Sequence, residues 1–133
     1  MWSLALALVT MVATAGGSSA LPAAQPAPES RWAIVNIKDP VRIGEKVLMG
    51  RYLIVHDDTK MARGEPCTTI YRFDNSGTRR EVVSFHCVPA QRAAADRFTF
   101  TLRPTGKGRL VPVELLEYQF AGDTEGHGVP STW

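Results

Sequence analysis

Cys67-Thr-Thr-Ile-Tyr-Arg-Phe73, Asp74-Asn-Ser-Gly77 and Glu81-Val-Val-Ser-Phe-His-Cys87 make up the stretch that decides the fold. The two outer runs are rich in β-branched and aromatic residues, and the middle one consists of turn formers. Together they read as a β-hairpin. Side chains alternate faces along a strand, so Cys67, Thr69, Tyr71 and Phe73 share one face, and Val83, Phe85 and Cys87 share one face of the return strand. A loop centred on Gly77 sets Cys67 opposite Cys87 and Tyr71 opposite Val83, so that the apolar faces coincide. A tight turn at Ser76-Gly77 shifts the register by one and separates the sulfurs. The expectation is the wider loop with a Cys67–Cys87 disulfide, which closes a loop of about 20 residues and adds roughly 3 kcal/mol.

Strands continue on both sides of the hairpin. Trp32 to Lys38 reads as a strand closed by Asp39-Pro40, and Lys46 to Asp57 reads as another with Gly50 inside it. Arg97 to Arg103 alternates cleanly, placing Phe98, Phe100 and Leu102 on one face. Within Leu110 to Phe120 the apolar parity changes: Val111, Val113 and Leu115 share one phase, Leu116, Tyr118 and Phe120 the other. Such a change marks a β-bulge or a strand that switches sheets. Helical periodicity is confined to Ala90–Asp96, where Pro89 suits a helix start. The fold expected is all-β: a small antiparallel sandwich or barrel of six to seven strands with one short helix.

Composition narrows the function classes. The 133 residues are 44% hydrophobic and 21% charged, too apolar for intrinsic disorder, and 15 basic against 13 acidic residues give a net charge of only +2. A nucleic-acid binder would show a basic excess or stripe, and none is evident. Trp2 to Ala15 is an uncharged apolar run followed by Gly-Gly-Ser-Ser-Ala20, the layout of a secretory signal peptide with cleavage after Ala20. The run is too short and too soon interrupted for a membrane span. Residues 21–30 are a Pro/Ala-rich leader, and 31–133 form a single β domain with a Gly-rich C-terminal segment. A secreted or periplasmic address also suits a disulfide.

Candidate chemistry is sparse. No G-x-S-x-G, H-E-x-x-H or P-loop pattern is present, so no catalytic residue is assigned and the protein leans away from an enzyme. His56, His86 and His127 are candidate ligands for zinc or copper, because three converging imidazoles suit those ions. His86 points away from the Cys87 face, and no pair has a short metal-ligand spacing. Asp57, Asp123 and Glu125 are candidates for a ligand-binding rim. Ala121 to Pro130 carries three glycines, two acids and His127 directly after an apolar strand, more special residues than a simple turn needs.

Three stretches carry a resemblance: Tyr52-Leu-Ile-Val-His-Asp-Asp58 running on to Gly64-Glu-Pro-Cys-Thr68, Val83-Ser-Phe-His-Cys-Val-Pro89, and Glu117-Tyr-Gln-Phe-Ala-Gly-Asp-Thr-Glu-Gly-His-Gly-Val-Pro130. Together they resemble a group of small secreted bacterial β-domain proteins to which no activity is assigned, so the resemblance implies no functional residue. Separately, Val47 to Val55 resembles the glycine, then x-Tyr-x-Val strand of many extracellular β-sandwich modules. Two function classes follow. One is an exported, non-enzymatic β-domain that binds a partner protein or small ligand at the cell envelope. The other is a zinc- or copper-binding envelope protein using its histidines.

Overall fold

The computed structural model describes residues 30–131. The segments expected to be a signal peptide and leader, up to residue 29, and the last two residues lie outside them. Eight strands form one sheet, curled into a half-barrel: β1 (Ser30–Ile43), β2 (Lys46–Asp57), β3 (Thr68–Phe73), β4 (Arg79–Phe85), β5 (Val88–Gln91), β6 (Thr99–Arg103), β7 (Val113–Gln119) and β8 (Glu125–Gly128). The order across the sheet is β4-β3-β2-β1-β7-β8-β5, and β6 pairs with β7.

Topology explains the curl. The strands β4 and β5 end the order on opposite sides, yet only His86 and Cys87 separate them along the chain. Three Cα steps reach at most about 11 Å, whereas seven strands laid flat at ~4.8 Å spacing would hold these edges about 29 Å apart. The sheet must therefore bend until its ends converge, and Cys87 lies in that seam. On the concave side Ile37, Val41, Ile43, Leu48, Ile54, Ile70, Phe85, Leu115, Tyr118 and Phe120 are buried as one core.

The hairpin forms with a corrected register. Asp74 N–H donates to Thr78 O at 3.0 Å, Asp74 Oδ1 accepts from the N–H groups of Ser76 and Thr78, and Gly77 takes φ 81°. This is the three-residue loop ending in a left-handed glycine, centred one residue earlier than expected. Thr68 pairs with Phe85 and Ile70 with Val83, and a bulge then sets Tyr71 opposite Glu81. The core face of β3 is consequently Thr68 and Ile70, while Cys67, Thr69, Tyr71 and Phe73 line the opposite face. Cys67 is not cross-strand from Cys87, and no disulfide joins them: both are buried free thiols whose Sγ atoms lie 2.6 Å apart.

Two further corrections concern local signals. Asp39-Pro40 does not close the first strand. A register shift between Ile37 and Val41 absorbs it as a bulge, and the strand then reaches β7, where Val41 pairs in parallel with Val113. The expected helix at Ala90–Asp96 is absent, because Pro89 to Gln91 pair with Glu125 to His127 in β8. The short helix is instead α1 (Asp58–Ala62), capped by Asp57 Oδ1, which accepts from Thr59 N–H at 2.8 Å and Lys60 N–H at 3.2 Å. The parity change before Phe120 is a bulge: Thr101 faces Glu117 and Leu102 faces Leu115, which lets Leu115 and Tyr118 both point inward.

Candidate metal centre

The end of the half-barrel interior collects residues from three places in the chain. His56 stands near the end of β2, Cys87 in the seam between β4 and β5, and His127 in β8. Each offers one ligand atom, and these atoms lie within 4.8 Å of one another. Tetrahedral or trigonal coordination at 2.0–2.3 Å places ligand atoms about 3.4–3.8 Å apart, and Cys87 Sγ already lies 3.8 Å from His127 Nδ1. The two imidazole rings are 4.2 Å apart between centroids.

Burial makes this grouping unusual. His56 is 1% exposed and His127 2% exposed, and both Nε2 atoms are buried without a hydrogen-bond partner. An unpaired buried polar atom costs about 1–3 kcal/mol. Carboxylates lie near both rings. Asp58 Oδ1 lies 3.4 Å from His56 Nδ1, Glu125 Oε1 3.6 Å from His127 Nδ1, and Asp123 Oδ2 3.8 Å from His127 Nε2. Carboxylates behind imidazoles orient ligating histidines and raise their basicity.

A floor of aromatic and hydroxyl groups supports the cluster. Tyr118 stacks on His127 at 4.9 Å and 24°, Phe120 meets it edge-on at 5.7 Å, and the Tyr118 hydroxyl lies 2.5 Å from Thr68 Oγ1. Burial raises the Tyr118 pKa, so the hydroxyl stays protonated and available to Thr68. Removing it by Tyr118→Phe is expected to cost about 1–3 kcal/mol. Urea unfolding with an unchanged midpoint would contradict that.

The sulfurs titrate as a pair. A hydrogen bond from the Cys87 thiol, helped by His56 and by Cys87 N–H at 3.1 Å, holds the Cys67 thiol far below the ordinary thiol range. The same contact pushes the Cys87 thiol up. A metal ion would reverse this, since a coordinating thiol is deprotonated outright.

Burial, and then the charge of His56, lower the His127 pKa from 6.5 to about 4, against the raising influence of Asp123 and Cys67. A histidine pKa depressed on folding means that the unfolded chain takes the proton first. The stabilising contribution is complete above pH 6.5 and is lost as pH falls toward 4. Metal-free protein is expected to lose up to about 3 kcal/mol across that window. Thermal unfolding in chelator at stepped pH checks this, and His127→Phe should flatten the slope.

The structure brings together two of the three histidines expected to converge. His86 is exposed and takes no part, because the residue that turns inward at the seam is Cys87. Among the rim residues, Asp57 spends its carboxylate on capping α1. Asp123 holds Arg31 NH1 at 2.5 Å and accepts from Glu125 N–H, which ties the loop before β8 to the start of β1. The sequence favours a disulfide for Cys87 over a metal-thiolate role, yet its parity with Val83 and Phe85 turns it inward beside the histidines. After β7, Gly126 lets Glu117 approach: a Cβ would lie 2.6 Å from the Glu117 carboxyl, which Arg92 grips through two hydrogen bonds, so a side chain there would make that carboxyl move.

No family model, curated protein or solved structure matches this chain, so its function has to be argued from the cluster itself.

Proposed function

We propose that the protein is an exported β-domain that holds a zinc or copper ion through His56, Cys87 and His127. The observation that carries this reading is the pair of buried imidazole nitrogens without partners beside a buried thiol. A packed core rarely leaves such atoms unsatisfied, and an ion held between the two rings and the thiol gives these buried imidazoles a partner. Imidazole and thiolate donors favour zinc and copper over magnesium or calcium, which take oxygen ligands. One thiolate against a divalent ion leaves positive charge, and Asp58, Asp123 and Glu125 supply nearby compensation. The uncharged run Trp2 to Ala15 and the small residues up to Ala20 support export to the cell envelope.

The test is a titration of the reduced chain with zinc against a chromophoric chelator. One equivalent bound per chain, with a dissociation constant tighter than about 1 μM, is the expected result. Zinc that stays with the chelator throughout would overturn the proposal.

A further inference from the structure

Cys67 is the chemically distinctive group that the metal reading leaves unused. It directly precedes β3, lies against both Cys87 and His56, and is also among the residues lining a groove of ≈ 460 Å³ on the other side of the sheet. Trp32, Ile34, Tyr71 and Phe73 line that groove, and Trp32 is 65% exposed. The volume is that of a small-molecule site. Through the seam, Cys67 Sγ touches Cys87 Sγ at 2.6 Å, and Cys87 N–H points at the same sulfur. Cys67 is only 3% exposed, so an external disulfide reaches it through the groove, and its neighbour Cys87 belongs to the metal centre.

We propose that Cys67 is a site of thiol–disulfide exchange with an external low-molecular-mass disulfide, and that its joining to Cys87 withdraws the metal's only sulfur ligand. This rests on the metal reading above. The Cys67 thiolate attacks one sulfur of the external disulfide R–S–S–R, forming Cys67–S–S–R and releasing RS⁻. The Cys87 thiolate then attacks Cys67 Sγ, forming the Cys67–Cys87 disulfide and releasing the second RS⁻. The protein pair loses two electrons, the external disulfide gains them, and the two cysteine protons end on two molecules of RSH. A disulfide sulfur carries no negative charge, so His56 and His127 are left as a two-nitrogen site that holds the ion weakly. Linkage runs both ways: metal on Cys87 occupies the resolving thiolate and must protect the pair from oxidation by the same factor.

The experiment uses the full chain with zinc and oxidised glutathione as the two probes. Zinc affinity is measured on reduced protein, on protein oxidised until mass spectrometry shows the loss of two hydrogens, and on that protein re-reduced. The reduced form is expected to bind one zinc, the oxidised form to bind at least about 100-fold more weakly, and re-reduction to restore the first value. Restoration separates sulfur chemistry from unfolding. Cys67→Ser is expected to keep wild-type zinc affinity within a few-fold and to hold it after the oxidant. Disulfide-containing protein that binds zinc as tightly as reduced protein would overturn the inference and leave the metal reading standing. Loss of zinc from oxidant-treated Cys67→Ser would overturn it as well. If reduced wild-type protein binds no zinc, the metal reading fails first and the inference falls with it.

Discussion

Replacing Cys87 by serine, or His127 by alanine, is expected to weaken zinc binding by at least about 100-fold. Losing a group that merely orients a ligand costs 10–100-fold in metal affinity, and these substitutions remove the ligand itself. Three donors hold the ion, so each deletion leaves a two-donor site. Cys87→Ser keeps the size of the side chain and tests sulfur specifically, whereas His127→Ala removes a ring on which Tyr118 and Phe120 pack. His127→Phe, which keeps a ring at that position, separates lost packing from lost coordination. His86→Ala is the matched control: His86 is the neighbour of Cys87, is exposed, and should bind zinc like wild type. Equal losses for His86→Ala and His127→Ala in a chelator competition would contradict the assignment.

Zinc is expected to raise the melting temperature of the reduced protein by roughly 15–30 °C when free metal exceeds the dissociation constant about 1,000-fold. Binding restricted to the folded state stabilises by about 4 kcal/mol at that excess, and a domain of about 100 residues gains ~4–8 °C per kcal/mol. The ligands sit near the end of β2, in the β4–β5 seam and in β8, so an ion crosslinks the two converging edges of the half-barrel. Metal-free protein also carries the cost of its buried, unpaired imidazole nitrogens. A chelator should reverse the shift, and His56→Ala should abolish it. A shift of only a few degrees at saturating zinc would show that the ion is held at the surface.

Much of the β architecture was legible because it is local. Alternation exposed the hairpin strands, and the parity change between Leu115 and Tyr118 located a real bulge. What escaped depends on partners distant in sequence. Pro89-Ala90-Gln91 resembles a helix start in isolation, but it becomes a strand because β8, more than 30 residues away, offers it a ladder. Asp39-Pro40 resembles a strand end, yet its neighbours stay paired with β2 on both sides of the bulge. The hairpin register turned on one residue: Asp74 and Gly77 build a three-residue loop, which moved the core face from Cys67 to Thr68 and Ile70.

The site was half legible for the same reason. His56 and His127 could be named as candidates, but only the closing of the sheet brings their rings to 4.2 Å. The choice between His86 and Cys87 depends on how the two-residue link turns at the seam, and the long-range convergence of β4 and β5 dictates that turn.

The most direct measurement of the central claim is metal-edge X-ray absorption on the reduced, zinc-loaded chain. The account predicts one sulfur scatterer at about 2.3 Å and two imidazole nitrogens at about 2.0–2.1 Å, with the sulfur contribution lost in Cys87→Ser. A shell of light atoms alone in the wild-type protein, with no sulfur at that distance, would contradict it.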